Sequence, residues 1–194
     1  MRWFAAAALL TGIAVGSATA AATRDALVQP GRGIGKVRLG MTQAQVRRAL
    51  GAPTYVARRR ALGFGQRYVE FQWGYAEWSV GFQGPAGRMR AVRVGTTLRS
   101  QRTRSNLGTG SRIRDIVRVY PQATCSDWAG LGTNSSKERW ISVRHANGAQ
   151  TIFAAVWDGP ADPGPVRVVE VMIQRPARGL AERRVRCVAY WRRQ

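Results

Sequence analysis

The chain has 194 residues and a formal net charge of +21, carried almost wholly by arginine, with Lys36 and Lys137 as its only lysines. One histidine, two cysteines and ten carboxylates argue against a His/Cys metal centre and against paired-carboxylate acid–base chemistry, so no cofactor or metal is expected. A surface this basic attracts polyanions with a steep salt dependence, although the same arginine excess is what a GC-rich genome writes.

In chain order, the first element is an export signal. Met1-Arg2-Trp3 precedes an apolar run from Phe4 to Val15, and small residues follow, ending Ala18-Thr19-Ala20. A positive start, a short apolar core and an A-x-A site are the parts of a secretory signal peptide. Residues 1–20 are assigned to it, with cleavage after residue 20 or 22. The apolar core is too short for a spanning helix, which needs ~20 residues, and no later stretch is long and apolar enough to span. No cysteine beside the cleavage site offers a lipid anchor. The expected localisation is therefore exported: extracellular, periplasmic or cell-wall associated. Nucleic acid is a poor partner for an exported chain, so none is expected.

A flexible leader is expected over 21–33, then a first unit over 34–98, a polar linker over 99–107 and a second unit over 108–194. The units rest on a pattern repeated at an offset of 70 residues. Gly40 aligns with Gly110, Val46 with Ile116, Leu50 with Tyr120, and Gly51 with Pro121. In the first copy Thr42 is an N-cap, Gln45 completes a capping box, and Val46, Ala49 and Leu50 share one helical face. Gly51 and Pro53 stop the helix. In the second copy Ser111 or Arg112 takes the cap, and Ile113, Ile116, Val117 and Tyr120 form the apolar face.

Each helix is followed by strands. The first set covers about 68–73, 76–83 and 89–95; the second covers about 140–145, 151–157, 166–173 and 185–191. The expected fold class is α+β, with two tandem repeats, each a short helical segment followed by a three- to four-stranded antiparallel sheet.

The run Val37-Arg38-Leu39-Gly40-Met41-Thr42, continued by Val46 and Leu50-Gly51-Ala52-Pro53, resembles the opening of a domain shared by two bacterial groups. These are the β-lactamase inhibitor proteins and the small lipoprotein of the outer-membrane assembly machinery. The resemblance spans roughly 34–191. It implies a tandem helix-and-sheet architecture and a binding or inhibitory role. No inhibitory contact residue is matched here.

Export meets an oxidising compartment, so Cys125 and Cys187, 62 residues apart, are expected to form a disulfide. Catalytic motifs are not found. His145 shares a strand face with Ile141 and Val143 and is expected as a packed residue. The glycine runs 31–35 and 108–111 lack the features of dinucleotide or phosphate loops, and no Gly-x-Ser-x-Gly elbow is present.

The aromatic residues carry the binding reading. Trp140 and Arg144 alternate against Ile141 and Val143. Phe153 and Trp157 alternate against Ile152, Ala154 and Val156. If the aliphatic side meets the helix, Trp140, Arg144, Phe153 and Trp157 share the other sheet face, a hot-spot composition. The expectation is a monomeric, secreted, non-enzymatic binding module docking a protein or envelope partner through that face. The alternatives are a structural envelope protein held on anionic cell-wall or membrane polymers by its charge, and a hydrolase.

Overall fold

Three two-residue strands, β1 (Val28–Gln29), β2 (Gly33–Ile34) and β3 (Val37–Arg38), form a small antiparallel sheet in the computed structural model, which describes residues 27–60, 67–128, 137–157, 167–175 and 185–187. Gly33 makes this packing possible. A side chain there would collide with the Val37 carbonyl and Arg38 Cα. The sequence reading places a flexible leader over 21–33, yet residues 28–33 belong to this sheet. Val28 and Ile34 are the reason: both enter the core at 0% exposure. The export signal lies outside the described residues.

Helix α1 (Gln43–Leu50) starts as its sequence dictates. The Gln45 amide donates to Thr42 Oγ1 at 3.1 Å, and the Thr42 amide donates to Gln45 Oε1 at 2.8 Å. Val46 is buried and Gly51, at φ 83°, ends the helix. Four strands follow: β4 (Tyr55–Arg60), β5 (Arg67–Trp73), β6 (Trp78–Gln83) and β7 (Arg90–Thr96).

Residues 99–107, expected as a linker, are fastened on both sides. The Val28 amide donates to the Arg102 carbonyl at 2.8 Å, and the Arg102 guanidinium donates to the Asn106 carbonyl and Ser111 Oγ. Ser111 is thereby diverted from capping. Helix α2 (Ile113–Val119) begins at Arg112 with no side-chain cap and buries Ile113 and Ile116. Then come β8 (Thr124–Trp128), β9 (Lys137–Arg144), β10 (Gln150–Trp157), β11 (Val168–Gln174) and β12 (Val185–Arg186).

The expectation of two α+β repeats, each with its own sheet, is overturned. The strands form one antiparallel sheet in the order β12-β8-β9-β10-β11-β7-β6-β5-β4, eight long strands with the two-residue β12 at one edge. Among the described residues the two helices are only eight and seven residues long, so that part of the protein is mostly β. The physical reason is at β7 and β11. Each would be an exposed edge in a separate unit, and instead they pair, with Val171 opposite Thr96 and Ile173 opposite Val94.

One face of the sheet carries the main core. Phe71, Phe82, Val94, Ile173, Phe153 and Ile141 meet Val46 of α1, Ile113 and Ile116 of α2, and Val28, Ile34 and Val37 of the small sheet. Among the described residues, the helices and the small sheet all pack on this side. The Cys125–Cys187 disulfide is formed, and both half-cystines belong to this core.

Candidate binding face

The opposite, helix-free face follows from the pairing registers. Gln72 stands opposite Ser79, Ser79 opposite Gly95, Gly95 opposite Met172, Met172 opposite Ile152, Ile152 opposite Ser142, and Ser142 opposite Thr124. Residues paired in this way share a face, and strand alternation sends their neighbours in sequence to the core.

Of the four residues expected together, two share this face. Trp140, opposite Ala154, is half-buried and packs on a small cluster of Ile152, Ala154 and Met172. Arg144, opposite Gln150, is exposed. Phe153 lies on the other side, opposite Ile141 and Val171, at 0% exposure in the main core and 6.3 Å from the Tyr120 ring. Trp157 pairs through its backbone with Lys137, and its side chain lies outside the described residues. The sequence assumption that Ile152 and Ala154 meet the helix fails because β10 is buried on both faces: Ile152, Phe153 and Ala154 are all at 1% exposure or less. In such a strand the apolar pattern cannot assign sides.

Two features of this face are not visible in the sequence reading. The first is a polar cluster across β5, β7 and β11. Arg93 Nη2 meets Glu170 Oε1 at 3.4 Å, Tyr68 Oη donates to Glu70 Oε2 at 3.3 Å, and Gln72 Nε2 donates to Glu70 Oε1 at 2.8 Å. Gly81 and Gly95 leave room for it: a Cβ at Gly81 would collide with the Tyr68 hydroxyl, and one at Gly95 would lie 2.5 Å from Glu170 Oε1. Burial pulls the Arg93 guanidinium down, but Glu170, Tyr68 and Glu70 more than offset it, and the net shift is upward. Burial also pushes the Tyr68 phenol up to about 12. The cluster thus combines a tyrosine held neutral with a guanidinium held charged.

The second is a shallow pocket of about 220 Å³ at the other end of the face, lined by Gln122, Thr124, Ser142 and Arg144. The alternation of Trp140, Ser142 and Arg144 was its sequence signal. Gln122 and Thr124 carried none, because β8 has no clean two-residue period.

His145 follows β9 and is part-buried. Its Nε2 lies 2.8 Å from Thr151 Oγ1, the oxygen that also accepts from the Gly31 amide at 3.1 Å. Burial lowers its pKa. No group of three or more His, Cys, Asp and Glu side chains that could hold a metal is found among the described residues. No helix among them is long and apolar enough to cross a membrane. The chain matches no protein-family model, no curated protein and no solved structure.

Proposed function

We propose that this chain is an exported, non-enzymatic binding module that docks an envelope partner on the helix-free face of its sheet. The observation that carries the reading is that half-buried Trp140 and exposed Arg144, four residues apart on β9, stand on the same face, which the described helices leave uncovered. Tryptophan and arginine are the residue types enriched where binding energy concentrates. The Cys125–Cys187 bond fits an oxidising compartment. The resemblance to β-lactamase inhibitor proteins makes a secreted β-lactamase one partner to assay.

The test is affinity capture from an envelope fraction at low and high salt, with wild type and Arg144→Glu. Capture that survives high salt and is lost in the variant supports a specific interface. A second reading, retention on anionic polymers by bulk charge, is favoured by the net charge of +21. It predicts capture that disappears at high salt and is barely altered by one substitution.

A further inference from the structure

We infer that the pocket between β8 and β9 binds the carboxylate-bearing sugar unit of an anionic glycan. This rests on the reading of the helix-free face as a binding surface and names the ligand class for one end of it. The described lining supplies one guanidinium, two hydroxyls and one amide, from Arg144, Ser142, Thr124 and Gln122, and no carboxylate. A guanidinium fork takes a carboxylate through two parallel hydrogen bonds. Hydroxyls and an amide both donate and accept, which suits sugar hydroxyls.

Size narrows the occupant. A cavity of about 220 Å³ is smaller than the ~300–1,000 Å³ of sites for drug-sized ligands, so it holds a single ring rather than a folded segment. Trp140 stands two residues before Ser142 on the same face, half-buried against Ile152, Ala154 and Met172, and borders the pocket's strand rather than lining the pocket.

Neighbouring strands set the surroundings of the site. Gln150, directly opposite Arg144, is only 1% exposed and is not among the pocket's described lining, so the ligand contacts fall to Arg144 and the residues of β8 and β9. Exposed Arg186 is opposite Thr124 on the same face. It adds a second positive charge at the pocket's outer side. The disulfide fixes this register, since Val185 pairs with Cys125 and Cys187 follows Arg186.

The experiment is calorimetric titration of the full chain with a glucuronate oligomer and with the neutral glucose oligomer of the same linkage. Three variants accompany wild type: Arg144→Ala, Arg144→Lys and Arg118→Ala. Arg118 is exposed on α2, across the sheet, and removes the same charge. The expected result is at least tenfold tighter binding of the acidic oligomer, a tenfold or greater loss in Arg144→Ala, a partial loss in Arg144→Lys and less than twofold change in Arg118→Ala. Equal losses in the two alanine variants would mean diffuse charge and overturn the inference, as would an unchanged Arg144→Ala. If neither oligomer binds while wild type still captures its envelope partner at high salt, the pocket assignment fails and the docking face stands. Failure of both removes the docking face as well.

Discussion

Thr151 Oγ1 accepts a hydrogen bond from the Gly31 amide at 3.1 Å, across 120 residues of sequence. Thr151 is at 0% exposure, and Asn147 Nδ2 closes the contact by donating to the Gly31 carbonyl at 2.8 Å. The small sheet is thereby fastened to the hairpin between β9 and β10. Thr151→Val keeps the shape but leaves the Gly31 amide unsatisfied in a buried place, which costs about 1–3 kcal/mol. Urea unfolding should report that loss, and hydrogen exchange at residues 28–34 should quicken more than exchange in β10. Thr151→Ser, which keeps the acceptor, should recover most of both.

His145, whose Nε2 lies 2.8 Å from the same threonine's Oγ1, sets a pH dependence through its burial. Burial lowers the His145 pKa below its ordinary value, so the folded protein binds fewer protons than the unfolded chain as pH falls through that range. Stability from this group is complete above the unfolded histidine pKa, near 6.5. It declines as pH drops from there toward the depressed folded value. The denaturation midpoint should fall as pH drops below about 6.5, the unfolded histidine pKa. His145→Gln should flatten that part of the profile. An identical slope in the variant would assign the effect to other groups.

What was legible in the sequence followed from short-range rules. Thr42 and Gln45 announce their capping box because it needs only three residues of spacing. The β6 and β9 periods emerge because Val80 and Phe82, or Ile141 and Val143, face the main core while Ser79 and Gly81, or Ser142 and Arg144, alternate to the other face. The cysteine pair was legible from compartment chemistry. The pairing of β7 with β11 left no local trace, since any strand offers the same backbone groups to a neighbour 70 or more residues away. β10 misled because Ile152 and Phe153 are both apolar and both buried, so the platform expected to include Phe153 was assigned to the wrong side. The arginine-rich β4 was missed for the converse reason: Arg58-Arg59-Arg60 hides a strand beneath a charge run.

Gly33 and Gly40 separate two reasons for a glycine. At Gly33 the obstacle is backbone: a Cβ would lie 2.9 Å from Arg38 Cα and closer still to the Val37 carbonyl. At Gly40 nothing lies within 4 Å, but φ is +88°. Gly33→Ala should therefore push β2 from β3 and destabilise by roughly 1–3 kcal/mol, as overpacking does. Gly40→Ala should cost nearer ~1–2 kcal/mol, the strain of a left-handed backbone alone. Only the first should weaken exchange protection throughout the small sheet.

Arg93 holds Glu170 at 3.4 Å and lies close enough to Glu70 and Tyr68 for all three to raise its pKa. Arg93→Met leaves those carboxylates without their shared cation, and the stability loss should be about 1–3 kcal/mol, below the figure for a fully buried pair because the side chain keeps partial exposure. Tyr68 gives a second readout. Its phenol is pushed up to about 12, chiefly by burial, and Arg93 acts in the opposite direction. Removing Arg93 should raise it further. A raised acid pKa means the unfolded chain ionises first, so stability should fall as pH rises from about 10. Ultraviolet titration of tyrosinate in wild type and in Tyr68→Phe identifies the late-titrating group.

The disulfide joins stability to the pocket. Cys125 lies in β8 beside Thr124, and Cys187 follows Arg186, so one bond fixes the pairing of Arg186 with Thr124. The Cys187 amide donates to the Ala123 carbonyl at 3.1 Å, adding a single backbone hydrogen bond. A two-residue strand at a sheet edge is too short to hold its register unaided. Replacing both cysteines by alanine should cost about 2–5 kcal/mol, with β12 the first element to lose exchange protection. Because β9 and β10 remain paired, Arg144 should keep its place while Arg186 loses its own. Affinity for a glucuronate oligomer should then fall less than it does in Arg144→Ala. A larger fall would show that the disulfide edge, rather than Arg144, organises the site.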